Sequence, residues 1–523
     1  MKKDKIKEAF AGLVGADITP DNAHRGVSAI NAPRELFSQC AGAFKDAGFR
    51  LVAEWALDET PLGRGFAVCA AYAHKKEYIV VKSSLPIDDA VFPTLTGKYV
   101  AAFRFERQIH SLFGITAFGH PDLRPWIKHE DWPAGAFPLR KNFNASAKME
   151  RVKGEYRWIR AEGEGVFEIA VGPVHAGIIE PGHFRFQSVG EDIINLETRF
   201  GYVHKGIEKR FEELSFEGGV KLAGRVSGDT TVAHSLAYCR AIETASGSVV
   251  PRRAHWLRAV FLELERIANH LGDIGAICND TAFTFMHYQM AILREKILKT
   301  NYKLFGHRLT MDVVTLGGVR VDITDGGVNA LLVLLDEMLK EFERLVKIYE
   351  DNPSLEDRVY STGILAPDIA AELGVVGFVG RASGQAGDAR IDCPFTPYDE
   401  FIVKAPLLRS GDVHARAWVR IEEVRESVRL IRELIGTLPS GLFQAKCLTP
   451  LEGVAGFSVV EGWRGEIIYW VQAGRDGVIN RCMVRDPSSV NWLSIEQAIK
   501  GNIVPDFPLC NKSFNQSYSG HDL

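Results

Sequence analysis

Cysteine is the residue type most able to build a metal centre in this chain, and its spacing decides whether one can form. The eight cysteines lie at positions 40, 69, 239, 278, 393, 447, 482 and 510, and no two share a C-x-x-C spacing. Paired cysteines of that kind hold most structural zinc ions and iron–sulfur clusters. So few cysteines in a long chain without a secretory signal are typical of reduced core thiols. The sequence therefore predicts no metal site built from such pairs.

A second group of residues has the chemistry of buried ion pairs. Arg381, Asp388 and Arg390 follow one another closely, and Gly384 between them allows a tight turn. Arginine binds carboxylates through forked hydrogen bonds that can lock a buried loop. A structural bridge between Asp388 and Arg390 is at least as good an interpretation as a functional one.

The elements that must position these residues follow from hydrophobic periodicity. Apolar residues at helical spacing predict helices over 35–48, 255–271, 328–349 and 419–438. Runs of β-branched and aromatic residues predict strands over 66–72, 77–81, 465–473 and 478–485, and a β-rich piece over 155–200. Weaker patterns predict polar helix and loop over 1–30, short helices over 90–95 and 494–500, a strand over 99–103 and, after the last of these helices, a polar tail that ends at 521–523.

The predicted fold has an α+β N-terminal domain over residues 1–150 and a mainly α-helical body with small β-sheets over residues 151–523. Helices between about 231 and 438 are expected to bury their apolar stripes against each other. Residues 116–145 are rich in Pro, Gly, Trp and His. This composition predicts an ordered, extended arm without a helix.

Composition excludes several classes of protein. Hydrophobic residues make up 46% and charged residues 24% of the 523 residues, which is ordinary globular usage. Lys and Arg number 62 against 66 Asp and Glu, so the net charge of −4 gives no electrostatic case for nucleic acid. No segment approaches the roughly 20 apolar residues of a membrane-spanning helix. We expect a cytosolic protein whose membrane contacts go through partners.

Four short motifs lie in order near the N-terminus. They are ERQIHSLFGI at 106–115, GHPDLR at 119–124, EDW at 130–132 and PLRK at 138–141. This series resembles the 30-kDa-type subunit of respiratory complex I, from which it departs at Gln108 and Ser111. Its alternation of charged and aromatic residues, stiffened by proline, predicts a docking arm for a partner surface.

A second series covers about 165–523. Its motifs are GPVH at 172–175, EPGHFR at 180–185, GYVHKGIEK at 201–209, ELERIANHL at 263–271, GGVR at 317–320 and GRASG at 380–384. The series resembles the 49-kDa-type subunits of complex I and the large subunits of membrane-bound nickel–iron hydrogenases. The EPGHFR form is closer to the hydrogenases. A fusion in this order resembles the large subunits of the formate-hydrogenlyase type.

The resemblance contains a test for nickel. Hydrogenases of this family bind their Ni–Fe centre through two C-x-x-C pairs, because such metals require soft thiolates. The matching positions in this chain are Ser227, Thr230, Ser517 and Gly520. Hydroxyls that keep their protons are weak ligands, and glycine offers no side chain. We therefore predict that the chain binds no nickel, while two alternatives stay open for these positions: a cavity lining or a reused substrate pocket.

The resemblance also contains a test for quinone. In the complex I relatives a histidine and a tyrosine hold the quinone headgroup. The histidine position falls on Pro181 or nearby, and the tyrosine position on Gly228. These ligands therefore do not carry over, although His183 is a candidate substitute.

Several residues are candidates for proton chemistry or partner contact. Glu180 matches a hydrogenase carboxylate that transfers protons, with a capping or salt-bridged role as the alternative. Asp229 is the only acid near the lost ligands, so it is a candidate proton carrier or a polar lining. Arg381 is a candidate to tune a partner's Fe–S cluster through its charge. Other expectations are a structural role for His234, partner contacts for His204, Lys205, Glu208 and Lys209, and an interface or structural role for Glu263 and Glu265.

The resemblance implies a hydrophilic core subunit of a membrane-bound, energy-converting oxidoreductase complex. Such a protein couples electron transfer from an Fe–S partner, similar to the cluster-N2 subunit of complex I, to ion translocation by membrane partners. A non-catalytic scaffold is the alternative. We expect no cofactor bound by this chain, quinone as one candidate substrate and a peripheral position on the cytoplasmic side of the cell membrane. NAD(H) would bind elsewhere in the complex, because no Gly-rich fingerprint follows a strand here.

Overall fold

The computed structural model describes residues 18–176 and 179–523. The part of the expected N-terminal helix and loop over residues 1–17 lies outside the described residues. The chain is a mixed α/β protein with many helices and several small sheets, as expected for the two subunit types. In the described ranges, no helix combines the length and the apolarity that a membrane crossing requires.

The strands and helices have the following bounds. The strands are β1 (Thr19–Pro20), β2 (His24–Arg25), β3 (Ser28–Asn31), β4 (Arg50–Asp58), β5 (Phe66–His74), β6 (Glu77–Leu85), β7 (Val91–Pro93), β8 (Thr116–Phe118), β9 (Val166–Val171), β10 (His183–Val189), β11 (Asp192–Arg199), β12 (Val314–Thr315), β13 (Gly318–Val319), β14 (Ala455–Gly462), β15 (Gly465–Ala473) and β16 (Ile479–Arg485). The helices are α1 (Arg34–Asp46), α2 (Ala102–Phe113), α3 (Ile207–Phe211), α4 (Phe216–Ala223), α5 (Thr231–Ser246), α6 (Arg252–Asp280), α7 (Thr284–Phe305), α8 (Asp325–Glu350), α9 (Pro353–Val359), α10 (Pro367–Glu372), α11 (Gly377–Ala382), α12 (Ala389–Asp392), α13 (Val413–Gly436), α14 (Ser488–Ala498), α15 (Phe507–Phe514) and α16 (Tyr518–Asp522).

The N-terminal sheet is buried on both faces. Its strand order is β1-β3-β6-β5-β4, and β4, β5 and β6 are antiparallel. Along β5, Val68 and Tyr72 face one apolar core and Cys69 and Ala71 face another, as the two-residue period of a strand requires. The first core contains Phe37 and other residues of α1, and the second contains residues of β14 and β15. Because both faces are buried, the sequences of β4 and β5 are nearly continuous runs of apolar residues.

The two parts of the chain share a sheet. Strand β2 pairs in parallel with Ala455 and Gly456 of β14, which extends the sheet to the order β16-β15-β14-β2. Trp55 of β4 lies 5.8 Å from Trp470 of β15, measured between ring centroids. The division into residues 1–150 and 151–523 stays a prediction, because the N-terminal strands pack directly on the C-terminal ones.

Long helices form the interior of the second part. Helix α6 is buried along almost its whole length, and α7, α8 and α13 contribute apolar residues to the same core. The predicted helices over 255–271, 328–349 and 419–438 are thus confirmed with longer bounds. All eight cysteines are free and six are buried, as predicted.

Four local predictions are wrong. Residues 90–95 contain the strand β7 instead of a helix, because Val91 and Phe92 favour a strand and Pro93 cannot continue a helix. Residues 99–103 lead into α2 instead of a strand. Residues 19–31 form three short strands instead of polar helix and loop. The expected polar tail at 521–523 is buried, and His521 and Asp522 end helix α16.

The predicted docking arm packs on its own chain. As expected, residues 116–145 contain no helix. However, the Arg104 guanidinium donates to Glu496 at 2.7 Å and to Thr198 at 2.8 Å. The indole of Trp126 lies under Arg104 and is buried. A pattern of charged and aromatic residues fits an internal surface as well as a partner surface, and the docking role of the arm stays a prediction for its exposed residues.

The segment at 201–209 also contacts its own chain. Glu208 is buried and accepts hydrogen bonds from Arg481 and from the backbone N–H of Val484, both at 3.1 Å. The Nζ of Lys205 donates to the carbonyl of Val226 at 3.0 Å. The expected partner role of Glu208 is therefore wrong, because the mixed charges of this turn are neutralised inside the fold.

Candidate functional site

The four positions that match the lost metal ligands meet in the fold. The Oγ of Ser227 lies 2.8 Å from the Oγ of Ser517, and Ser517 also accepts a hydrogen bond from the Gly520 N–H at 2.8 Å. Thr230 stands at the N-terminus of α5, directly behind Ser227. All four residues are buried. Two of the three hydroxyl groups at these positions therefore bind each other, and the third, that of Thr230, donates to Asp229.

An ion pair lines one side of this cluster. The two carboxylate oxygens of Asp229 accept from the two terminal nitrogens of Arg464, each at 2.7 Å. Asp229 also accepts from Ser227 and Thr230, each at 2.9 Å. Burial alone would raise the pKa of Asp229, but the Arg464 guanidinium outweighs it and lowers that pKa to about 2. The carboxylate is thus held ionised, and its role as a proton carrier stays a prediction.

A second carboxylate fills the space beside Gly520. A Cβ atom on Gly520 would lie 2.7 Å from the Cγ of Asp486, which is closer than real atoms approach. Asp486 accepts from His234 Nε2 at 3.0 Å and from the Ser488 N–H at 2.8 Å. The other ring nitrogen of His234 accepts from the Tyr469 hydroxyl at 3.0 Å. His234 is therefore a packed, hydrogen-bonded core residue, as predicted.

These residues do not fit a nickel–iron centre. Within residues 18–176 and 179–523, no group of three or more His, Cys, Asp or Glu side chains is arranged to hold a metal ion. Asp229 and Asp486 already bind Arg464 and His234. The side chains at the matched positions offer only the hydroxyls of Ser227, Thr230 and Ser517, which are already hydrogen-bonded and are hard, weak ligands. No reaction step through such a metal can be assigned to this chain.

Glu180 lies at the edge of the cluster. Its carboxylate is exposed and accepts from the Ser519 N–H at 2.9 Å, two residues after Ser517. Gly182 in the same loop packs on Tyr518, since a Cβ there would lie 2.5 Å from that ring. The structure thus brings Glu180 to the C-terminal loop, where proton transfer stays a predicted role.

His183 does not join the cluster. It begins β10, and its ring centroid lies 4.6 Å from that of Trp158. Burial, together with Arg185 and Arg199, lowers its pKa to about 4, so the ring is neutral near pH 7. Within the described part of the chain, no hydrogen bond connects His183 to the four ligand positions. Quinone binding by His183 stays a prediction without a geometric link to this cluster.

Arg381 lies at the centre of a buried charge cluster. Its guanidinium donates to Glu423 Oε1 at 2.6 Å and to Glu461 Oε1 at 3.0 Å. Asp388 pairs with Arg390 at 2.7 Å, which is the structural bridge. Burial disfavours the charge of Arg381, but the neighbouring carboxylates outweigh this and raise its pKa above the ordinary value. Arg381 is fully buried and cannot touch a partner. Its effect on a partner's Fe–S cluster stays a prediction, and it would have to act through the electrostatic field of the buried charge cluster.

Helix α6 contributes two further buried carboxyl groups, those of Glu263 and Glu265. Glu263 accepts from Tyr398 and Ser427, each at 2.6 Å, and from Arg390 at 3.1 Å. Glu265 accepts from the backbone N–H groups of Val232 and Ala233 at the start of α5. Burial raises the pKa of Glu265 to about 8. Both glutamates therefore have a structural role. The sequence had left an interface role open as the alternative.

Arg464 and Asp486 are site residues that the sequence did not indicate. Arg464 stands in the tight turn between β14 and β15, and Asp486 follows the last residue of β16. Neither belongs to a recognised motif. Their partners Asp229 and His234 lie 235 and 252 residues away in the sequence, so only the fold reveals the pairs.

The fold and the motifs define a class of protein: a fusion of two subunit types of respiratory-chain complexes. Residues 30–149 match the family of the 30 Kd subunit of respiratory-chain NADH dehydrogenase. Residues 279–450 match the family of its 49 Kd subunit.

Curated relatives align over most of the chain. Formate hydrogenlyase subunit 5 of Escherichia coli (strain K12) is 32% identical over 473 residues, which cover 89% of this chain and 83% of the relative. Hydrogenase-4 component G of the same organism is also 32% identical, with 89% and 82% covered. The fused C/D protein of the NADH-quinone oxidoreductase of Phocaeicola vulgatus is 31% identical, with 73% and 78% covered. The chain belongs to this family of fused 30-kDa-type and 49-kDa-type subunits, shared by complex I and membrane-bound hydrogenases.

A solved structure shares the fold. A chain of the membrane-bound sulfane sulfur reductase, an archaeal respiratory membrane complex, superposes with a TM-score of 0.65 at 24% sequence identity. The match covers 70% of this chain and all of that chain.

Because Asp486 fills the space beside Gly520, a cysteine introduced at position 520 should destabilise the protein. Gly520→Cys places a side chain against the Asp486 carboxylate, and such overpacking destabilises proteins by about 1–3 kcal/mol. Gly228→Cys is the matched control, because no atom lies within 4 Å of a Cβ there. Urea unfolding followed by fluorescence measures both variants. Equal stability of the two variants would contradict the account of the filled site.

The buried charge cluster makes a second prediction. Arg381→Met leaves Glu423 and Glu461 without their main cation, and removing one partner of a buried pair costs about 3–5 kcal/mol. Arg344→Met is the control, since it breaks an exposed pair with Glu341 one helical turn away. Thermal unfolding should show a large loss of stability for the first variant and no measurable loss for the second. A small loss for Arg381→Met would show that the cluster is not a structural unit.

Proposed function

We propose that this chain is the hydrophilic core subunit of a membrane-bound, energy-converting oxidoreductase complex and works without a metal centre of its own. The observation that carries the proposal is the closure of the ligand positions inside a surrounding shell of family motifs. Ser227 and Ser517 bind each other, and Asp486 occupies the space beside Gly520. Family membership supplies the type of complex.

The proposed partners follow from the family and from the exposed edge of the site. An Fe–S small subunit would bring electrons, and membrane subunits would move ions on the cytoplasmic side of the membrane. Gly228 is exposed, and the Asp229 side chain keeps 37% of its accessible surface. The loop that holds the former ligands therefore reaches the surface, where a partner can contact it.

Two forms of this function make different use of the site. In the catalytic form, electrons from the partner reduce a carrier such as a quinone, and Glu180 or Asp229 handles protons. In the scaffold form, the chain only couples its neighbours. The hydroxyl contacts and the Asp229–Arg464 pair fill the former metal site with side chains, which favours the scaffold form for the interior. The exposed carboxylate of Glu180 at the edge favours retained proton chemistry.

Metal content tests the proposal directly. The intact complex, purified through a tag on this chain, should contain far less than one nickel per chain, while iron from a partner is present. Inductively coupled plasma mass spectrometry measures both metals. Stoichiometric nickel would contradict the proposal.

Glu180 distinguishes the two forms. Glu180→Gln removes the titrating group but keeps its hydrogen-bond acceptor for the Ser519 N–H, so assembly should be unchanged. If Glu180 relays protons, reoxidation of the dithionite-reduced complex by a short-chain ubiquinone should slow by about tenfold or more. Glu191→Gln, in the exposed turn between β10 and β11, is the matched control. Unchanged reoxidation in Glu180→Gln would rule out the relay and favour the scaffold.

A further inference from the structure

A carboxyl group without a hydrogen-bond partner lies between the N-terminal sheet and the body. Glu54 stands in the middle of β4 and is only 4% exposed. Neither of its carboxyl oxygens receives a hydrogen bond from any group in the described part of the chain. Buried polar groups in native proteins almost always have a partner, so this exception requires an explanation.

Glu54 faces a small cavity. The cavity volume is about 30 Å³, which is room for about two water molecules. Its lining combines apolar residues of β4 and α2 with a few polar side chains, namely Gln108, Glu208, Arg481, Arg485 and Ser489. Gln108 and Ser489 are partly exposed, so the cavity adjoins the protein surface.

The cations that line the cavity are already bound to other groups. Arg485 donates to Glu466 at 2.7 Å and to the carbonyl of Val52 at 2.8 Å. Arg481 donates to Glu208 at 3.1 Å. An ionised Glu54 would therefore have no counterion of its own in the described structure.

The other neighbours of Glu54 also disfavour a negative charge. Glu106 of α2 adds repulsion, and the Tyr72 hydroxyl of β5, which is likewise without a partner in the described ranges, donates no hydrogen bond to Glu54. Burial first, and Glu106 second, raise the pKa of Glu54 well above the ordinary value of 4.5. An ionised carboxylate in such surroundings is far less stable than the protonated form.

We propose that Glu54 is a proton-binding site: its carboxyl group holds a proton at neutral pH, is solvated by water in this cavity, and exchanges the proton through the side formed by Gln108 and Ser489. The exchange is a simple dissociation in which the carboxyl O–H bond breaks and a cavity water accepts the proton. No oxidant or other co-reactant is required.

The cavity and the Ser227–Ser517 cluster share one short stretch of chain. Arg485 and Ser489 line it, and Asp486 between them in the sequence fills the space beside Gly520. A change at the cluster that moves Asp486 would therefore also move two walls of the cavity. This link to redox events rests on the proposed function, whereas the proton site itself does not.

Infrared spectroscopy of the full-length chain tests the proton directly. At pH 7 the wild type should show carbonyl absorption of protonated carboxylic acids that shifts on transfer to heavy water, and Glu54→Gln should lose the part that Glu54 contributes, while the part from Glu265, whose pKa is about 8, remains. Glu59→Gln is the matched control, since Glu59 is buried in the same domain but binds Lys82 at 2.8 Å. It should retain the full absorption. A difference spectrum between the wild type and Glu54→Gln that shows no protonated-acid band would overturn the proposal.

Stability against pH provides a second test. A raised folded-state pKa means that the folded chain binds the proton more tightly, so this stabilisation is complete below about pH 4.5 and is lost as pH rises. Glutamine mimics the protonated carboxyl and escapes that loss. Glu54→Gln should therefore raise Tm by roughly 2–4 °C at pH 8 and by less than about 1 °C at pH 5. Glu59→Gln, which breaks an ion pair, should lower Tm at pH 8.

The two tests separate this inference from the proposed function. Neither test uses turnover, so a complex without redox activity would leave both expectations unchanged. A Glu54→Gln variant that is less stable than the wild type at pH 8 would show that Glu54 is ionised and would overturn the inference.

Discussion

The contact between Ser227 and Ser517 is the constraint on which the rest of the account depends. It joins a loop before α5 to the C-terminal segment, which carries the second pair of former ligand positions. In the hydrogenase relatives a metal centre would connect these two loops. Here a hydrogen bond, the Asp229–Arg464 pair and the Asp486 carboxylate hold the same loops together. In this chain, polar contacts between side chains therefore connect the two segments.

The interior of the helical part follows the same principle on a larger scale. Arg381, Arg390 and Glu263 lie in a dense set of buried charges in which each group has several partners. Buried ion pairs of this kind contribute little net stability compared with apolar residues of the same size, but breaking them is costly. Such a cluster defines one arrangement of α6, α11, α12 and α13. In addition, a change in the protonation of one of these buried groups would alter the electrostatic potential at distant residues.

Local sequence patterns predicted much of this fold, and tertiary contacts decided the remainder. The strand at 465–473 has the predicted bounds, and the 255–271 helix lies within α6, because period and β-propensity act locally there. The predictions for residues 90–103 were wrong, since short apolar runs around Pro93 fit a helix as well as a strand. The Glu106 carboxylate, which accepts from the Leu95 N–H and the Thr96 hydroxyl, ties that turn to α2. No local pattern contains such a contact.

The candidate site shows the same division. Family motifs located Ser227, Thr230, Ser517 and Gly520, and the fold brings them together. Arg464 and Asp486 were missed because nothing in their neighbourhood marks them as partners of residues more than two hundred positions away. The sequence also could not predict whether the charged arm packs on its own chain or on a partner. Both kinds of surface require the same alternation of arginine and aromatic residues.

A density map of the assembled complex at the former ligand positions tests the central claim most directly. High-resolution electron cryomicroscopy should show the Ser227 and Ser517 hydroxyls in direct contact, near 2.8 Å, with the Asp486 carboxylate beside Gly520. All density there should belong to protein. A strong additional peak between the two loops, with the hydroxyls separated around it, would contradict the account.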